Sequence, residues 1–218
     1  MINNHRIACD LVRIARSLIS GEVASADGEY SNFTGRIKTD FINGFVKNAY
    51  FVIKRGLLIF LDGIWIEGTW KDGEWKNGLW RNGTWKNGAW KNGFWRNGTW
   101  EDGAWRNGTW KDGTWKNGIW LDGTWKDGTW KNGTWKDGDF QKGTWKDGTW
   151  YDGDWKNGNW QDGTWYDGDW KNGTWQDGTW HDGDWKNGTW HGGYWKNGTW
   201  QEGYDGKGKR HLDSPDNW

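Results

Sequence analysis

The chain carries one cysteine, one proline and one methionine among 218 residues, and these scarcities narrow what it can be. Cys9 has no second thiol to meet, so no intrachain disulfide forms and an oxidising compartment is not indicated. An excess of either charge is missing too, because 29 Lys and Arg are matched by 29 Asp and Glu. Without a basic surplus there is no field to gather phosphates, so neither nucleic acid nor an anionic membrane is an expected partner. Long apolar runs are also absent. Arg6, Arg13 and Arg16 interrupt the N-terminal segment where a secretory signal needs an unbroken apolar core. The longest apolar stretch, Gly56 to Ile66, contains Asp62 and falls far short of the roughly 20 residues that span a bilayer. The expectation is a soluble protein made in the cytoplasm.

What the chain has instead is 28 Trp and 37 Gly, a bias that marks a repeat or fibrous architecture. It divides into four parts. In residues 1–21, Ile7, Leu11, Ile14, Ala15 and Leu18 recur at helical spacing and Gly21 supplies a stop, which predicts an amphipathic helix with a basic outer face. Residues 22–59 carry Phe33, Ile37, Phe41, Phe45, Tyr50 and Phe51 around an Asn43-Gly44 turn signal and read as short strands leading into the repeat. Residues 60–203 are the repeat itself: from Trp65 to Trp200 every fifth residue is Trp, Phe140 excepted. Residues 204–218, with Lys207, Lys209, Arg210 and Pro215, lack that period and read as a flexible polar tail.

Two architectures fit the unit G-[T/D/A]-W-[K/R/Q/Y]-[N/D]. An antiparallel meander would make each Asn-Gly or Asp-Gly a tight hairpin turn. Residues two apart in a strand point their N–H and C=O to the same side, so a three-residue strand cannot serve tight hairpins at both ends without a bulge. A β-solenoid removes the conflict, since each strand pairs in parallel with the coils above and below it. Trp then points one way and its polar neighbours the other, which makes the Trp side the interior. The predicted core comprises Trp65, Trp80, Trp95, Trp110, Trp125, Trp155, Trp170, Trp185 and Trp200 and their counterparts. Corners fall at pairs such as Asn172-Gly173 and Asn187-Gly188, where positive φ is needed.

The residue before Trp sets the number of units per coil. Read every fifteenth position it is Thr69, Thr84, Thr99, Thr114, Thr129, Thr144, Asn159, Thr174 and Thr189, whereas the other two columns differ and a twenty-residue reading mixes them. Three pentapeptides per coil are therefore favoured, with an outer Thr ladder and a late Asn ladder of Asn157, Asn172 and Asn187. Volume favours four instead, because three indoles need roughly 500 Å³ per coil and a fifteen-residue triangle looks small for them. The three-sided rod would be about 45 Å long.

The period of five resembles that of the pentapeptide-repeat proteins, whose square right-handed β-helix has Leu or Phe at the inward centre and a small residue two positions before it. Here Trp and Gly take those places. "EGTWKDGEWKNG", Glu67 to Gly78, also resembles the G-x-W-x-x-G core of MORN repeats, and "ACDLVRIARSLIS" resembles leading segments of tailed-bacteriophage proteins. The last resemblance implies a virion or tail-associated setting.

For catalysis the pattern offers no nucleophile beside a base, and no catalytic, metal-binding or cofactor-binding residue is expected. His181 and His191 fall on different sides of a three-sided coil, His5 and His211 lie in other segments, and Cys9 is alone. Corner Asp residues alternate with Asn and read as corner formers rather than calcium ligands. Lys156, Lys171 and Lys186 run beside Asp154, Asp169 and Asp184 as a self-neutralised surface. A Thr ladder suits ice binding, but only one Thr column is complete. The leading expectation is a non-catalytic structural rod or spacer, with residues 1–60 capping it or docking it to a larger assembly, and with end-to-end self-association open where no cap follows Trp200. The alternative is a carbohydrate or cell-surface binding module that stacks exposed Trp faces on sugars.

Overall fold

Each pentapeptide supplies one short strand made of the residue before Trp and the Trp itself. Twenty-seven of these, β4 (Thr69–Trp70) to β30 (Thr199–Trp200), follow three longer strands, β1 (Thr34–Thr39), β2 (Val46–Lys54) and β3 (Leu57–Trp65). The computed structural model describes residues 34–39, 46–54, 57–70 and 72–218. The helix expected over residues 1–21 lies outside the described residues.

Pairing is parallel and steps by fifteen residues: Thr69 pairs with Thr84, Thr84 with Thr99, and Trp70 with Trp85. The chain is thus an all-β parallel solenoid with three pentapeptides per coil, and both the square coil and the meander are set aside. Among the described residues antiparallel pairing is confined to the ends, β1–β2, β2–β3 and a late hairpin. Three faces result. The first holds the strands of Trp65 to Trp200, the second those of Trp70 to Trp190, and the third those of Phe60 to Trp195. The first and third join at β3, which pairs Ile64–Trp65 with Leu79–Trp80 and Ile59–Phe60 with Glu74–Trp75.

The coils are tied by a repeating pair of backbone bonds. The residue before Trp donates to the Gly carbonyl one coil below, as in Thr84 N–H to Gly68 at 2.9 Å, and the residue after Trp donates to the Trp carbonyl below, as in Lys86 to Trp70 at 2.8 Å. The corner completes the account. At the Asp corners, and at Asn107, Asn132 and Asn157, the Gly N–H donates to the side-chain oxygen of the residue before it, for example Gly73 to Asp72 at 2.8 Å and Gly133 to Asn132 at 2.7 Å. Positive φ falls on the Gly, at 128° in Gly173. A Cβ on Gly173 would also stand 2.5 Å from the Gly158 carbonyl oxygen of the coil below, so backbone stacks directly on backbone at each corner.

Three indoles fit in one coil because they are tilted plates. In each column successive indoles are parallel to within a few degrees with centroids 4.6–5.2 Å apart, as in Trp70–Trp85 and Trp75–Trp90. Aromatic faces touch at about 3.5 Å, so rings repeating at the coil spacing close the gap only by leaning roughly 40° and sliding sideways, the offset stack that ring quadrupoles favour. Neighbours within a coil meet edge to face, as in Trp110–Trp115 at 6.1 Å and 73°. Shared edges and a lean shrink the footprint that the volume argument had assigned to upright rings.

The core is dry. Trp65 to Trp185 are at most 1 % exposed, Phe140 included, and 22 indole N–H groups have no hydrogen-bond partner. Burying one indole removes roughly 150–250 Å² from water, worth up to about 4–6 kcal/mol, against about 1–3 kcal/mol for an unpaired N–H. Burial therefore wins at every position.

Both ends are closed. At the first, Val46, Ala49 and Phe51 of β2 join the core, and Phe51 meets Phe60 edge to face at 5.0 Å. At the other, the segment expected as a flexible tail folds over the last rings. β31 (Gly203–Asp205) pairs in parallel with Thr189–Trp190 and antiparallel with β32 (Arg210–His211), and a 3₁₀ turn, Pro215–Asn217, brings Trp218 against Trp200 at 5.3 Å and 84°.

The corner geometry predicts that Gly173→Val lowers stability by about 2–5 kcal/mol through strain and overlap. Lys171→Gln removes only a half-exposed ion pair with Asp154 and costs at most about 1 kcal/mol. Thermal melts of the two variants check this, and equal melting temperatures would refute the stacked-glycine corner.

Candidate functional site

The residues that sequence placed in the interior occupy one column: Trp65, Trp80, Trp95, Trp110, Trp125, Trp155, Trp170 and Trp185 are buried in the first-face stack, with Trp200 partly buried at its end. Asn172-Gly173 and Asn187-Gly188 stand at the corner between the first and second faces, with φ of 128° and 135° on the glycines. Thr69, Thr84, Thr99, Thr114, Thr129, Thr144, Thr174 and Thr189 line the second face half-buried. Among the described residues no hydrogen bond links the side chains of Asn157, Asn172 and Asn187. Asn157 instead accepts from Gly158 N–H at 2.8 Å, and the Asn187 side-chain oxygen is buried without a partner. These positions build the rod; they do not converge on a point.

No group of three His, Cys, Asp or Glu side chains that could hold a metal is found among the described residues. Their surface depressions are shallow, open grooves along the corners, one lined by Ile64, Leu79 and Phe94 and another by Asp122, Asp137, Asp139 and Asp154. His181 lies on the third face and His191 on the second. Cys9 and His5 lie outside the described residues. No helix among those residues is long and apolar enough to cross a membrane.

The outer chemistry is ordered by column. On the first face Lys156, Lys171 and Lys186 reach back one coil to Asp139, Asp154 and Asp169, with Nζ–O distances of 2.9, 2.5 and 2.8 Å. The hydrogen bond to Asp169 raises the Lys186 pKa above its ordinary value, with burial opposing and the charges of Asp169, Asp184 and Asp154 adding. On the third face burial would raise the Glu74 carboxyl, but Lys76 and Lys91 outweigh it and hold the group below its usual range.

The third face also carries an arrangement that the sequence reading passed over. Lys136 Nζ sits 3.4 Å above the Tyr151 ring, Tyr151 stacks on Tyr166 at 5.0 Å, and Tyr166 stacks on His181 at 4.6 Å. Their spacing of fifteen was the available signal. Ring faces are turned onto one another, so edges and hydroxyls point outward.

The second concentration of polar contacts is the C-terminal closure. Asp205 occupies the register position where the second column would carry its next Trp, and its carboxylate accepts the Lys207 and Lys209 N–H groups at 2.9 Å each and faces His211 Nε2 at 3.2 Å. His211 stacks on Trp218 at 3.9 Å, and its carbonyl accepts the Trp200 indole N–H at 3.3 Å. Arg210 pairs with Glu202. This closure is a structural latch, its polar groups turned onto one another.

No protein-family model matches the chain, and no curated protein or solved structure matches it either.

The latch carries a pH dependence. Chiefly the Lys209 N–H, with His211 and the Lys207 N–H adding and burial opposing, holds the Asp205 carboxyl below its ordinary value. A carboxylate lowered in the folded state stabilises above its unfolded pKa of about 3.9 and loses that contribution as pH falls through the folded value. Protection factors over residues 203–218, taken relative to the intrinsic exchange rate at each pH, should therefore fall below about pH 4, and Asp205→Asn should show weaker protection already at neutral pH. Identical exchange in both proteins at pH 7 would contradict the role given to Asp205.

Proposed function

We propose that the protein is a non-catalytic structural rod or spacer whose useful property is a fixed length set by the number of coils. The observation that carries this reading is the uniform interior. One tilted three-indole layer repeats for about ten coils, both ends are closed, and charged groups on the outside are laid out in columns instead of converging. A chain shaped for catalysis would interrupt that monotony to bring together a nucleophile, an acid or a ligand set.

The carbohydrate reading relied on indole faces open to solvent. Against it stands the burial of those faces, each covered by the next ring in its column. The outer Tyr151 and Tyr166 rings likewise spend their faces on one another. The period-five repeat continues to resemble the pentapeptide-repeat proteins in polarity, and residues 8–20 resemble leading segments of tailed-phage proteins. On that resemblance we place the rod in a virion or tail-associated assembly, with residues 1–60 as its attachment end.

Deleting residues 81–110 removes two complete coils without changing face register. By small-angle scattering the variant should keep the cross-section of the parent rod and lose about 10 Å of length. An unchanged length, or specific binding of soluble oligosaccharides by the intact chain, would contradict the rod reading.

A further inference from the structure

The cations of the first face fall into two groups. Lys156, Lys171 and Lys186 are paired with Asp residues of the coil below, whereas Arg81, Arg96, Lys111 and Lys126 in the same column are exposed and make no ion pair among the described residues. Beside these free cations runs the half-buried apolar column Ile64, Leu79 and Phe94. The third face has the reverse character in its later coils. There Tyr151 and Tyr166 are 40 % and 41 % exposed. Rows of corner carboxylates flank them, Asp137, Asp152 and Asp167 on one side and Asp147, Asp162 and Asp177 on the other. In each of these Asp residues Oδ1 is held by the following Gly N–H, while Oδ2 makes no ion pair among the described residues. Charge is accordingly polarised along the rod: residues 65–135 hold 11 Lys and Arg against 8 Asp and Glu, and residues 136–203 hold 7 against 12.

We propose that the rods associate side by side. The early half of the first face of one copy, Arg81 to Lys126, rests on the later half of the third face of another, Tyr151 to His181. A second copy is the partner favoured by spacing as well as by charge. Both arrays repeat once per coil, at about 4.8 Å, so cations and carboxylates stay in step along the whole contact, whereas a partner of another repeat drifts out of register. Guanidinium groups that meet Tyr edges and outward carboxylates together are well suited to such a strip. Antiparallel rods in full overlap bring the two halves opposite each other. In that overlap a whole face about 16 Å wide and 45 Å long offers roughly 700 Å² per copy, near the roughly 800 Å² per partner of a standard interface, and the charge-matched strip is about half of it. Because unlike faces meet, the contact is heterologous and leaves each copy a free face for a further copy. This inference needs only the three-faced solenoid and not the spacer role.

Sedimentation velocity at low and at high salt tests it with variants built from residues the repeat already accepts. Arg81→Glu/Arg96→Glu/Lys111→Glu uses the residue found at Glu101, and Tyr151→Lys/Tyr166→Lys/His181→Lys uses the residue of Lys136 and Lys196 in that column. The parent chain should form species that grow with concentration and dissolve in high salt. Each triple variant, with its melting temperature preserved, should associate at least tenfold more weakly, and an equimolar mixture of the two should associate again. A parent chain that stays monomeric at low salt overturns the proposal. So does association untouched by both variants, which would mean end-to-end stacking, and so does a monomeric chain that binds heparin through Arg81 and Arg96.

Discussion

Backbone hydrogen bonding between coils sets a spacing of about 4.8 Å, and aromatic rings touch at about 3.5 Å; the structure follows from reconciling those two lengths. Rings lying flat across the rod would leave gaps between layers. Leaning them closes the gaps, produces parallel-offset columns, and turns each ring edge toward the face of its neighbour in the same coil, at 73° and 6.0 Å for Trp120–Trp125. A smaller ring relieves the arrangement unevenly. Phe140 lies 5.7 Å from Trp125 below but 4.1 Å from Trp155 above.

The same spacing dictates the corners. Coils in ladder register bring the Gly backbone of one coil against the Gly backbone of the next, and a side chain there would meet the carbonyl beneath it. Glycine is required twice over, by its positive φ and by that approach. The preceding Asp has a simpler task than tolerating positive φ, since its side-chain oxygen accepts from the Gly N–H that the ladder leaves over. Asn does the same at Asn107, Asn132 and Asn157, so either residue suits a corner. That frees the choice between them to set surface charge, the property on which the third face depends.

Much of this was legible in the residues. Parity of backbone donors in T-W-K excluded the meander, and the recurrence of Thr69 at Thr84 and Thr99 counted three units per coil. The volume objection failed because it treated indoles as space-filling matter and not as plates whose lean is fixed by a second length. Direct Gly-on-Gly contact could not be read, since it exists only once coils are stacked. The C-terminal closure, read from sequence as a flexible tail, had as its signal only a single off-beat Trp218 with His211 and Asp205 nearby. Its meaning depended on where β31 enters the second column. The Tyr151, Tyr166 and His181 ladder was available at a spacing of fifteen but disguised as variation at a surface position.

The exterior thus carries what individuality the rod has, while the interior carries its length. The claim beneath both is that residues fifteen apart are neighbours. Cysteines at Thr114 and Thr129, paired positions on the second face, test it in a Cys9→Ser background. Strands about 4.8 Å apart lie within disulfide reach, so Thr114→Cys/Thr129→Cys should cross-link under mild oxidation, whereas Thr114→Cys/Thr134→Cys, on different faces, should stay reduced. Closure of the twenty-residue pair, with the fifteen-residue pair left open, would contradict the three-sided coil and the account built on it.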